Sequence, residues 1–191
     1  MTRRVVLATG NRHKLDEVAA ILGAGFAIEA ADPDVDENGD TFEANALIKA
    51  RAVRDRTGCV AVADDSGLVV DALDGRPGIH SARWTDEGDW IPRVLRELRD
   101  QHGAPRTARF VSAAAVAWPD GRDAVVAGTV EGTIAEEPRG VSGFGYDPIF
   151  VPIEGDGRTF GEMSATEKHE LSHRGRAFRA LLAVLDRGPA S

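Results

Sequence analysis

A chain of 191 residues in which helix-period and strand-period segments alternate predicts an α/β or α+β fold. Three observations carry this. Val5-Val6-Leu7-Ala8, a buried-strand run, turns at Thr9-Gly10 into a helix with Leu15, Val18, Ala19 and Leu22 at i, i+3, i+4 and i+7. Residues 109–118 and 123–131 read as two strands around the turn Pro119-Asp120-Gly121. A last helix carries Phe178, Leu181, Leu182 and Leu185 on one face.

The remaining elements follow in order. Gly23 and Gly25 end the first helix, and a short strand near Phe26-Ala27-Ile28 leads into an acidic loop. Thr41 is placed to cap a second helix whose Phe42, Ala46, Ala50 and Val53 share a face. Cys59-Val60-Ala61-Val62 reads as a buried strand, with Leu68-Val69-Val70 as its hairpin or its continuation. Gly75-Arg76-Pro77-Gly78 is a turn. Residues 90–100 are helical, with Val94, Leu95 and Leu98 apolar and Pro92 tolerated in the first turn. Residues 139–147 form a glycine-rich loop, and Ser164-Ala165-Thr166-Glu167 is a capping box. No repeat, low-complexity tract or linker divides the chain, which reads as one domain over residues 1–191.

Composition excludes several classes. With 42% hydrophobic and 28% charged residues the chain is an ordinary globular protein. A net charge of −8 argues against coating nucleic acid, though not against a nucleotide substrate. The single cysteine, Cys59, rules out an internal disulfide and a cysteine-rich zinc site, and points to a reducing compartment. No apolar run reaches membrane-spanning length, and the run after Arg3-Arg4 is too short for a signal peptide. The expected setting is the cytoplasm, with no membrane or nucleic-acid partner.

Five segments carry chemistry. Thr9-Gly10-Asn11-Arg12-His13-Lys14 sits where a strand meets a helix. Three basic residues oppose the helix dipole there, which a bound phosphate chain would relieve; the alternative is a solvated helix start capped by Asn11. Asp32, Asp34, Asp36, Glu37, Asp40 and Glu43 cluster without an intervening cation, but the EF-hand spacing fails. Most of them read as a solvated loop, with one or two able to join a metal site. Asp64-Asp65-Ser66-Gly67 brings two carboxylates to the end of a buried strand, costly unless a metal, a proton transfer or an open turn accounts for them. In Gly143-Phe144-Gly145-Tyr146-Asp147-Pro148 the glycines permit close backbone approach and the aromatic rings offer faces for a base, or simply plug the core. Lys168 with Ser172-His173-Arg174-Gly175, between the short capped helix and the last helix, supplies donors for carbonyls or phosphate, or a solvated face.

These segments, in this order, resemble the inosine triphosphate pyrophosphatase family, which hydrolyses non-standard purine nucleoside triphosphates. The resemblance runs from Val5 to about Leu185. It rests on Thr9-Gly10-Asn11-x-x-Lys14, on Thr41-Phe42 with Asn45-Ala46 and Lys49-Ala50, on Ala63-Asp64-Asp65-Ser66-Gly67-Leu68 and on Pro77-Gly78 with Ser81-Ala82-Arg83. Gly143 to Pro148 and Ser172-His173-Arg174-Gly175 complete the set. It implies an α/β fold with a long central mixed β-sheet flanked by helices, two lobes with the active site in the cleft between them, and a homodimer.

The implied roles are as follows. Thr9, Gly10, Asn11, Arg12, His13 and Lys14 hold the triphosphate. Glu37 and Asp65 bind magnesium (Mg2+), and Asp65 is also the general base. Ser66 contacts substrate, and Phe144, Gly145, Tyr146 and Asp147 line the base pocket. Lys168 contacts the nucleotide, and His173 and Arg174 read the 6-keto edge. Asp64, Asn45 and Lys49 are candidates for support. The implied reaction is attack of an activated water on the α-phosphorus of dITP, ITP or XTP, releasing pyrophosphate and removing these nucleotides from the pool. Donors facing the 6-position favour a keto group over the amino group of adenine. Two rivals are a nucleotide sensor that has lost turnover and a metal-dependent phosphohydrolase of other substrates. Two departures from the family pattern stand out. Ala44 replaces the glutamate of Thr-Phe-x-Glu-Asn, so that glutamate has no essential role to play here, although Glu43 is adjacent; Asp89-Trp90-Ile91-Pro92 lacks a common asparagine, with lobe or dimer packing the expected consequence of this second departure.

Overall fold

The structure, a computed structural model, describes residues 2–85 and 90–188. Six strands form one mixed sheet in the order β2-β1-β3-β4-β5-β6. They are β1 (Arg3–Ala8), β2 (Phe26–Ala31), β3 (Ala61–Val70), β4 (Thr107–Ala117), β5 (Asp123–Ile134) and β6 (Phe150–Pro152). The helices are α1 (Arg12–Leu22), α2 (Phe42–Thr57), α3 (Trp90–Asp100), α4 (Ala165–Leu171) and α5 (His173–Arg187). β1 pairs parallel with β2 and with β3, and β5 pairs antiparallel with β6. The mixed α/β class expected from the sequence holds. Among the described residues no helix is long and apolar enough to cross a membrane.

Two compact units divide the chain, with boundaries inside β3, β4 and β5. The first comprises the chain up to Asp65, Ser112–Gly128, and the chain from His173 on. From Val5 to Ala8, β1 is buried on both faces, so this run is apolar throughout and its side chains alternate between two cores. Val5 and Leu7 join Val62, Val18 and Leu22 of α1 and Phe178 and Leu181 of α5. Val6 and Ala8 join Ala46, Ala50 and Val53 of α2. The sheet side of that second core is built from Ala61, Ala63, Ala113, Ala115 and Ala117, small residues that let α2 approach closely.

Local signals set the helix ends. Asn11 caps α1, its side chain accepting from the backbone N–H groups of His13 and Lys14. Thr41 caps α2, and Gly58, at φ 65°, closes it with an N–H to the Arg54 carbonyl. On β5, a Cβ at Gly128 would lie 2.4 Å from the His173 carbonyl oxygen and 2.5 Å from the Ala177 nitrogen. Gly128→Ala is therefore expected to push α5 off the strand and cost about 1–3 kcal/mol, read as a lower denaturation midpoint. An unchanged midpoint would mean that α5 does not need this close approach.

The second unit spans Ser66–Val111 and Thr129–Ser172. Its core joins Leu68 and Val70 of β3, Val94, Leu95 and Leu98 of α3, and Val130 and Ile134 of β5. At its centre Phe110, Phe150 and Phe160 pack with ring centroids 4.6 to 6.1 Å apart. The Ser164–Glu167 capping box that starts α4 is present as expected.

Three expectations need correction. Leu68-Val69-Val70 continues the strand that begins at Ala61, so Asp64, Asp65, Ser66 and Gly67 lie inside a ten-residue strand and not in a turn at its end. His173, Arg174 and Gly175 are the first turn of α5, not a connection before it. The buried stripe of α1 runs through Glu17, Val18 and Leu22, leaving Ala19 exposed. Of the Asp89-Trp90-Ile91-Pro92 segment, Asp89 lies outside the described residues, while Trp90 and Ile91 pack on the second unit's core.

Candidate active site

Because β3 runs straight through the acidic pair, Asp64 and Asp65 point to opposite faces of the strand. They are only 2% and 6% exposed. Buried carboxylates must be matched, and each finds its partners on its own side.

Asp64 faces α1 and α5. Lys14 Nζ lies 3.2 Å from its Oδ1, and Arg174 donates to its Oδ2 through Nε and Nη2, each at 3.2 Å. Arg174 also donates to Glu17 through Nη1. Two cations thus face two anions in this group. Burial alone would raise the Asp64 pKa, but Lys14 and Arg174 override it and hold the carboxyl well below the usual range. Burial pulls the Lys14 ammonium down against the attraction of Asp64. For Arg174, burial is outweighed by Asp64 and Glu17, and its pKa is raised.

Asp65 faces α2. Asn45 Nδ2 donates to its Oδ2 at 3.1 Å, and Lys49 Nζ reaches its Oδ1 at 3.3 Å. The same ammonium lies 3.3 Å from Glu37 Oε1. Here two carboxylates meet at one ammonium. Burial raises the Asp65 pKa, Lys49 opposes the shift, and Glu37 adds to it. The two adjacent aspartates are therefore electrostatic opposites.

The phosphate-loop candidates form a compact strand-to-helix junction. Thr9 is buried, its Oγ1 accepting from the Asn11 N–H at 3.0 Å and its own N–H donating to Ala31. A Cβ at Gly10 would sit 3.1 Å from Asp32 Oδ2. Arg12 and His13 are exposed, and Lys14 turns in to Asp64.

In the second unit, Lys168 and Asp147 form a buried ion pair, Nζ to Oδ2 at 2.6 Å. The same Asp147 oxygen accepts the Phe144 N–H at 2.7 Å, and the Lys168 ammonium lies 4.8 Å from the Phe144 ring centroid. A Cβ at Gly143, φ 74°, would lie 2.0 Å from Asp147 Oδ2, so only glycine permits this closure. Gly145 sits at φ 61° and Phe144 is half-buried. Tyr146 takes the core position that the sequence left open for one of the aromatics. Its hydroxyl donates to the Ser81 carbonyl at 2.9 Å, and burial, opposed by Arg93, raises its pKa. Ser66 is half-buried on β3, and His173 is buried at the start of α5.

The structure thus brings together Lys14, Asp64 and Arg174 as one group, Glu37, Asn45, Lys49 and Asp65 as a second, and Phe144, Asp147 and Lys168 as a third. Glu17 belongs to the first group and sequence reasoning missed it. The available signal was its i, i+3 spacing from Lys14, between apolar positions that meet the sheet. Ala44, the departure in the second helix, donates its N–H to Thr41 Oγ1, and a Cβ at Gly39 would lie 2.7 Å from its own Cβ.

Among the described residues no three His, Cys, Asp or Glu side chains converge as a metal cluster. Glu37 and Asp65 nevertheless fit magnesium. They are hard oxygen donors that meet at one ammonium, and this ion binds through one or two carboxylates with the rest of its shell from water and substrate phosphates.

Known proteins resemble this chain along nearly its whole length. The sequence model of the Ham1 family matches residues 5–184. A dITP/XTP pyrophosphatase of Symbiobacterium thermophilum is 52% identical, covering 98% of this chain and 96% of its own. One from Caulobacter vibrioides is 50% identical, covering 97% and 99%. The solved structure of a HAM1 protein from Coxiella burnetii superposes with a TM-score of 0.85 at 36% identity, over 98% of this chain and all of the other. With both sequence and fold shared along nearly its whole length, the chain belongs to the Ham1 family.

Proposed function

We propose that this protein is a nucleoside-triphosphate diphosphatase, hydrolysing dITP, ITP and XTP to the nucleoside monophosphate and pyrophosphate, with residues 1–191 acting as a single catalytic domain. The carrying observation is Asp65, a buried carboxylate whose pKa is raised and which α2 aims through Asn45 and Lys49. The names of its relatives at about half identity support the substrate class.

Asp65 takes a proton from a water, whose oxygen forms a bond to the α-phosphorus while the bond from that phosphorus to the β-bridging oxygen breaks. Burial helps here, because it raises the affinity of Asp65 for the proton it must accept. Glu37 and Asp65 would hold Mg2+, which when bound neutralises charge on the phosphate chain. Thr9, Gly10, Asn11, Arg12, His13 and Lys14 bind the triphosphate, and Lys14 stabilises the departing pyrophosphate. Ser66 contacts the substrate.

Phe144 offers a ring face to the purine, its backbone fixed by Asp147 and its ring beside Lys168, with Gly145 and Tyr146 completing that loop. His173 and Arg174 read the 6-keto edge. Glu17 and Asp64 hold the Arg174 fork in one orientation, the preorganisation such a reading needs. A cytoplasmic homodimer, with no membrane or nucleic-acid partner, is the setting we propose.

The test is incubation with dITP, XTP, dGTP and dATP, with and without magnesium, resolving pyrophosphate from phosphate. Magnesium-dependent pyrophosphate from dITP and XTP, at least about tenfold faster than from dATP, is expected. Release of single phosphates, or equal rates on dATP and dITP, would sink the assignment, and no release from any of them would favour a sensor.

A further inference from the structure

We propose that Asn45 is a positioning residue that ties the Glu37 segment and Asp65 into one arrangement, an inference that rests on the function proposed above. Asn45 is fully buried and lies one turn before Lys49 on α2, so both address the same point on β3. Its carboxamide is used from both ends. The Oδ1 accepts the Gly39 N–H at 2.8 Å, and the Nδ2 donates to Asp65 Oδ2 at 3.1 Å.

Gly39 is two residues beyond Glu37. A Cβ there would lie 2.7 Å from the Ala44 Cβ, 2.8 Å from Asn45 Oδ1 and 3.1 Å from Asn45 N, so this approach to α2 admits no side chain. Lys49 spans the same two partners by charge, from Asp65 to Glu37. Asn45 spans them without charge, through Asp65 and the Glu37-bearing backbone. The two carboxylates repel one another, and Lys49 bridges them by charge from a long stem. The short carboxamide on a rigid helix fixes their spacing.

Two substitutions separate the halves of the bridge. Asn45→Ala removes both hydrogen bonds. Asn45→Asp is isosteric, keeps an acceptor for Gly39 and turns an oxygen, in place of the donor, towards Asp65. Hydrogen exchange of the Gly39 amide, without nucleotide, should quicken by at least about tenfold in Asn45→Ala and stay near the parent rate in Asn45→Asp. In both variants kcat for dITP should fall by about 10- to 100-fold, the usual effect of losing a partner behind a metal ligand, with KM changed less than about threefold.

Gly39→Ala should give a similar loss, and the Gly39→Ala/Asn45→Ala pair no more than either alone. Folded Asn45→Asp with parental kcat, unchanged Gly39 exchange in Asn45→Ala, or additive losses in the pair would each overturn the proposal. Were Asn45→Ala not to fold, Asn45→Asp and Gly39→Ala still decide it. Were the parent to release no pyrophosphate, the proposed function would fail, and the Gly39 exchange would still decide whether the bridge exists.

Discussion

Asp65→Asn should lower pyrophosphate release from dITP by about 10²- to 10⁴-fold, the usual worth of a positioned general base, while leaving the fold as stable as the parent or more so. Both halves follow from burial. A carboxyl whose folded pKa lies above its unfolded value stabilises the fold only while protonated. That contribution is present below about pH 3.9 and is lost as pH rises through the folded value. At neutral pH the charge on Asp65 therefore works against folding, and the amide removes that penalty. Asn45 keeps an oxygen to donate to, and Lys49 keeps Glu37. Turnover within tenfold of the parent would remove Asp65 from the role of base, and a large loss of stability would contradict the raised pKa.

Asp64→Asn should do the reverse to stability. Its removal leaves Lys14 and Arg174 facing each other with Glu17 as their remaining carboxylate in the group, and breaking such a buried set from one side costs about 3–5 kcal/mol. For a chain of this length that is a fall in Tm of roughly 6–20 °C. The pH dependence gives a sharper signature. The Asp64 pKa is depressed in the fold, so its stabilisation is complete above about pH 3.9 and is lost as pH falls towards the folded value. The parent should lose stability on acidification below pH 4, and the variant should lose less over the same range. A variant as stable as the parent at pH 7, or with the same acid limb, would mean that Asp64 does not hold this group together.

The neighbouring aspartates show what local sequence can and cannot tell. Ser66 and Gly67 are turn residues by habit, and two unpaired carboxylates inside a strand are costly, so a strand end was the natural reading. The structure runs β3 through them because Lys14, Lys49 and Arg174 arrive from three other segments to match the charge. No local window contains those partners. Where the signal was local it held: the Asn11, Thr41 and Ser164 caps and the alanine and valine face of α2 were all readable. Of the α1 stripe, Leu15, Val18 and Leu22 pack as expected, but Ala19 is exposed and Glu17, charged and so no part of an apolar pattern, is buried beside Val18. Asn45 and Lys49 were visible as family positions, but their direction became clear only once α2 lay against β3.

The placement of the acidic pair also bears on how the sheet finds its pairing. β3 lies parallel to β1 with Val6 opposite Ala61 and Leu7 opposite Val62. Alanine and valine line β3 on both faces, so apolar matching alone discriminates poorly between this alignment and one shifted by a residue. The carboxylates make the difference. Shift the strand one way and Ala63 replaces Asp64 opposite Lys14 and Arg174; shift it the other way and Ser66 replaces Asp65 opposite Lys49. Either slip takes an aspartate away from a buried cation and leaves it only its glutamate, Glu17 or Glu37, so only one alignment of β3 satisfies both helical faces at once. The residues read first as candidates for chemistry are also the ones that keep this strand from threading the sheet out of step.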